Sequence, residues 1–137
     1  MYNEEDRLIA ELEAFAVPFI RNLKLTQRNS IYVIADRLHR FSTRGLIKSF
    51  RIVDHPSKCC KWHAGALFGS KKDYLLFVDE NAKPHVRGFI FWNALSILLL
   101  DVKIGTPFYF DPRGGYRLPQ PEIQRVEIFH RCLTNTP

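Results

Sequence analysis

Tyr74-Leu75-Leu76-Phe77-Val78-Asp79, a polar turn over residues 80–85, Val86-Arg87-Gly88-Phe89-Ile90-Phe91-Trp92, and the long apolar run from Asn93 to Ile104 together decide the fold. This is the densest apolar stretch of the chain, so it must form the interior against which both ends pack. The two aromatic and β-branched runs predict an antiparallel hairpin, with residues 81–85 as its loop. Asn93 suits a helix cap, while Lys103, Gly105 and Pro107 stand where a helix places its basic last turn, its stop and its proline, predicting a buried helix over 94–104. Leu98, Leu100, Val102 and Ile104 alternate with Asp101 and Lys103, which also fits a strand.

On the N-terminal side, Asn3 caps an acidic first turn, and Leu8, Ile9, Leu12, Phe15, Ala16 and Phe19 recur at helical spacing. Pro18 should end or kink this helix near Val17. A second helix follows from Asn29 or Ser30 to Phe41, on the stripe Ile31, Ile34, Ala35, Leu38 and Phe41. Residues 46–53 read as a strand on Phe50 and Ile52, although Leu46, Ile47, Phe50 and Val53 also suit a helix; 64–68 is a short apolar piece, 69–73 a turn, 107–110 a strand and 111–115 its turn. Val126, Ile128, His130 and Cys132 alternate with Arg125, Glu127, Phe129 and Arg131, predicting a closing strand over 124–132. The expectation is a single α+β domain over 1–137. N-terminal helices pack on a mostly antiparallel sheet of about five to six strands, with one further buried helix near 94–104.

A chain of 137 residues, 46% hydrophobic and 25% charged, can bury roughly two-thirds of its unfolded surface without disulfides or a structural metal. Its acidic start is unlike a secretory or mitochondrial leader, and its longest apolar run stops short of the ~20 residues that span a bilayer. Three cysteines make no disulfide framework, which fits an intracellular protein, cytoplasmic or nuclear. The net charge of +6 is unevenly spread: residues 1–20 hold one base and five acids, residues 21–72 twelve bases and two acids, and residues 73–137 seven of each. Such concentration points to a polyanion.

Arg28, Arg37, Arg40, Arg44, Lys48, Arg51, Lys58 and Lys61 are the candidate nucleic-acid contacts of that segment, with Tyr32, Phe41, Phe50 and Trp62 among them to stack on unpaired bases. One version is a helix-turn-helix with Thr43 to Phe50 as reader, weakened by Gly45. A second constellation, His55, Cys59 and His63 with His130 and Cys132, offers the thiolates and imidazoles of a zinc site. A third, Asp79 followed by Asp101-Val102-Lys103, is similar to the Asp…(Asp/Glu)-x-Lys core of restriction-endonuclease-like nucleases. That resemblance implies Mg²⁺-dependent cleavage by Asp79, Asp101 and Lys103, but departs from the pattern because Gly105-Thr106-Pro107 leads on to a strand instead of a helix.

The leading expectation is a non-enzymatic nucleic-acid-binding protein using residues 21–72, with no cofactor, no membrane span and no small-molecule substrate. Its rivals are the nuclease and a self-associating interaction module, in which the acidic first helix meets the basic segment of another copy or covers its own.

Overall fold

The computed structural model describes residues 3–26, 29–41, 43–55 and 63–135. Its elements are α1 (Glu4–Leu23), α2 (Ile31–Arg40), β1 (Ser49–His55), β2 (Gly65–Ser70), β3 (Asp73–Asp79), α3 (Pro84–Leu99), β4 (Phe108–Phe110) and α4 (Glu122–Thr134). The class is α+β. The sheet, among the described residues, has four strands in the order β1-β3-β2-β4; β1 runs parallel to β3, and the other two pairings are antiparallel.

The shortfall from five or six strands has two sources. Residues 86–92 do not return as a hairpin strand; they begin a helix that opens at Pro84 and runs unbroken to Leu99. Proline at the first helical turn gives up an amide that has no partner there anyway, so Pro84 is the start signal that β-rich composition concealed. Gly88 costs about 1 kcal/mol of helix propensity, but every residue from Ile90 to Leu100 is buried. A segment apolar all round must satisfy its own backbone groups, which a helix does alone. The helix stops earlier than Gly105: Asp101 takes φ 55°, and the Val102 amide donates back to the Ile97 carbonyl at 3.1 Å.

The second source is α4, where the period-2 reading of 124–132 fails because Val126, Phe129 and Leu133 are buried together at helical spacing. Pro18 also does not end α1. Its cost of about 3 kcal/mol is offset by burial of Leu12, Ala16, Phe19 and Leu23, since a buried leucine or phenylalanine contributes roughly 1.5–3 kcal/mol. At its start the Asn3 side chain accepts the Asp6 amide at 2.7 Å.

One sheet face is the core wall: Phe50, Leu67, Leu76, Val78 and Phe110 are fully buried on it. α3 crosses this wall closely, because a Cβ at Gly65 would lie 3.2 Å from the Ile90 side chain, and Phe91 meets Phe50 edge-on with ring centres 5.8 Å apart. Phe129 of α4 joins Phe15 and Phe19 of α1 at 5.7 and 6.5 Å. Deep in α3, the Asn93 amide donates to the Phe89 carbonyl and its oxygen accepts the Tyr116 hydroxyl, each at 2.8 Å. α2 lies along β1, where Tyr32 donates to Asp54 at 2.7 Å and Arg87 from α3 pairs with the same carboxylate at 2.6 Å. Burial first, and then donation to Asp54, holds the Tyr32 hydroxyl above its usual pKa.

Candidate nucleic-acid interface

The basic residues divide between structural work and an exposed end of the sheet. Arg37 donates from Nη1 to the carbonyls of Leu23 and Lys24 at 3.4 and 2.9 Å, closing the C-terminus of α1. Arg40 pairs with Asp36 one helical turn away at 3.3 Å. Arg44 lies over the rings of Phe15 and Phe19, 5.9 and 5.6 Å from their centres, a cation–π arrangement that ties the α2–β1 connection to α1. Arg28, Lys58 and Lys61 lie outside the described residues.

Lys48 and Arg51 belong to the second group. The Lys48 amide donates to the Lys72 carbonyl at 2.8 Å, bringing the entry to β1 against the turn between β2 and β3. Lys48, Lys71 and Lys72 are therefore neighbours at the end of the sheet where β1 and β3 begin, and both turn lysines are exposed. Among the described residues, none of these three lysines and not Arg51 forms a salt bridge. The turn itself is unusual. Lys71 and Lys72 have φ 52° and 70°, the left-handed pair that a two-residue hairpin turn demands and that Asn-Gly normally fills. Two lysines there cost stability while adding two charges.

Strand alternation places Arg51 on the face of the sheet that points away from the core. Register then fixes its row: Arg51 pairs with Leu75, and Leu75 with Phe68. The next row is Val53, Phe77, Ala66 and Tyr109. Phe68 meets Phe77 edge-on at 5.2 Å, His55 meets Phe77 at 5.8 Å, and His63 stacks on Tyr109 at 4.2 Å with the rings 20° apart. Between these rings lies a cavity of about 220 Å³ at the far end of the sheet from the lysines. The helices that meet the sheet do so from its other side: Tyr32 of α2 and Arg87 of α3 reach Asp54, and Ile90 of α3 lies over Gly65.

Of the aromatics expected to stack, Phe50 is fully buried, Tyr32 is held by Asp54, Phe41 is exposed at the end of α2, and Trp62 lies outside the described residues. Phe68, Phe77 and Tyr109 were missed. Their signal was the alternation Ala66-Leu67-Phe68 and Leu76-Phe77-Val78, legible only once β2 and β3 are known to pair. The helix-turn-helix is corrected: Thr43 to Phe50 contains no helix, and Thr43 instead closes a loop in which its hydroxyl donates to the Ile47 carbonyl at 3.0 Å.

The other constellations are not brought together. Asp79 ends β3 on the outer face, and its carboxylate accepts the Asn81 amide at 2.9 Å. Asp101 lies near Tyr74, at the opposite end of β3 and on the core side, where burial first and Asp101 second raise the Tyr74 pKa. Five residue steps along β3, from Tyr74 to Asp79, separate these ends by about 17 Å, whereas a shared Mg²⁺ takes its oxygens at about 2.1 Å. Lys103 lies beyond the end of α3. His55 and His63 line the same cavity, but His130 sits on α4 against Phe89, Cys132 lines the groove between α1 and α4, and Cys59 lies outside the described residues. Among the described residues, no three metal-binding side chains converge. The acids of the first turn of α1 stand about 30 Å, the length of that helix, from the end that Arg37 closes. The chain matches no protein-family model, and neither curated proteins nor solved structures give a significant match.

Proposed function

We propose that the protein binds nucleic acid through the end of the sheet carrying Lys48, Arg51, Lys71 and Lys72. The observation that carries this reading is the tight Lys71–Lys72 turn beside Lys48, two lysines in left-handed backbone conformations where small residues would be more stable. Lys24, Arg44 and Asp101 share the left-handed conformation, so what supports the reading is the pairing of two lysines in one two-residue turn, which adds charge where Asn-Gly would add none. Four cations with no acid partner among the described residues are suited to neutralising phosphates and releasing their counterions. No helix of the described residues is long and apolar enough to cross a membrane.

The test is the affinity of the intact protein for labelled oligonucleotides as salt is raised. Neutralising four phosphates of a single strand gives a slope of log K against log salt of about −3. Binding indifferent to salt, or none, would overturn the reading. The nuclease has no assembled acid pair to support it, and cleavage is therefore not expected in the same titration with Mg²⁺ present.

A further inference from the structure

Resting on the nucleic-acid reading, the outer face of the sheet narrows the partner to one form of nucleic acid. Phe68 and Tyr109 are 37% and 46% exposed, large side chains left in water on the face opposite the α2 and α3 contacts. Both rings line one apolar cavity with Phe77, and an apolar recess bordered by a few polar groups suits a ligand. What it takes is decided by charge. Arg51 stands in the same cross-strand row as Phe68, and the three lysines lie at the end of the sheet that this row adjoins. A wholly apolar partner would gain nothing from those cations. A duplex would satisfy them but keeps its base faces stacked on one another.

An unpaired strand satisfies both, because each nucleotide offers a π-face and a phosphate. The cavity bordered by His55, Phe77, His63 and Tyr109 is apolar, except for imidazole edges and the Asp79 carboxylate. The His63–Tyr109 stack makes one flat wall of it and the Phe77 ring another. We infer that the outer sheet face binds single-stranded nucleic acid, with one unpaired base seated in the cavity between Phe77 and the His63–Tyr109 stack, and the backbone crossing Arg51 toward Lys48, Lys71 and Lys72. From the Asp79 row to the Asp73 row the sheet spans about 20 Å. Phe68, which lines the same cavity beside Phe77, supplies the second stacking surface.

The experiment compares four probes on the intact protein by fluorescence anisotropy: a short single strand as DNA, the same sequence as RNA, its duplex, and the single strand with abasic sites replacing its central bases. Variants Tyr109→Leu and Phe68→Leu keep an apolar side chain but remove the ring, and Tyr109→Trp restores one; thermal melts confirm that each is folded. The expected result is tighter binding of single strand than duplex, and a loss of roughly tenfold for the abasic strand. The leucine variants should lose that same increment with an unchanged salt slope, and Tyr109→Trp should retain it. Equal affinity for intact strand, duplex and abasic strand, with steep salt dependence, overturns this inference and leaves the nucleic-acid reading standing. Failure of every probe to bind in a salt-dependent manner overturns both.

Discussion

Arg51 and Phe68 flank Leu75 in one cross-strand row, so a cation and an exposed ring share the outer face although seventeen positions separate them in the chain. The row exists because β3 lies between β1 and β2, parallel to one and antiparallel to the other. It joins the charged end of the sheet to the aromatic cavity.

The Lys71–Lys72 turn opposes stability and binding. The double variant K71N/K72G installs the favoured turn pair and relieves two left-handed lysines that cost about 1 kcal/mol each. Thermal melting should rise by several degrees while nucleic-acid affinity falls. A melt that stays put or drops would show that the turn is not strained.

Tyr116→Phe removes the hydroxyl that Asn93 accepts inside α3, leaving a fully buried amide oxygen without its partner. The expected loss is about 1–3 kcal/mol of unfolding free energy in denaturant. Binding should be unchanged, because this bond lies on the core side of the sheet. Burial, with Glu127 adding to it, pushes the Tyr116 pKa up to about 12, and the same bond suits the neutral hydroxyl.

His130 makes stability depend on acid. Burial first, and the neighbouring Arg131 second, lower its pKa from 6.5 to about 4. Between those values the unfolded chain binds the proton and the folded chain does not, so stability is full above about pH 6.5 and falls as pH drops toward 4. His130→Gln should flatten this part of the curve by roughly 2 kcal/mol, after allowance for partial exposure. Parallel curves for the two proteins, measured by denaturant titration across that range, would refute the assignment.

The sequence made the two N-terminal helices, the strand after them and the turn after β4 legible, because amphipathic spacing, caps and glycines act locally. α3 and α4 were not. Residues 86–92 are β-rich in composition and residues 124–132 alternate in polarity, and both become helices because their surroundings bury them on more than one side. The basic segment was legible as composition, but its division was not: whether an arginine closes α1, as Arg37 does, or faces water, as Arg51 does, depends on partners distant in the chain. The aromatic cavity depended on a strand order that nothing local specifies.

The most direct test of nucleic-acid binding is the salt slope of the triple variant Lys48→Ala, Lys71→Asn, Lys72→Gly against the unaltered protein on one single-stranded probe. Loss of three phosphate contacts should make the slope of log K against log salt shallower by about 2. A variant that folds and keeps the original slope would contradict the placement of the phosphate-binding site at this end of the sheet.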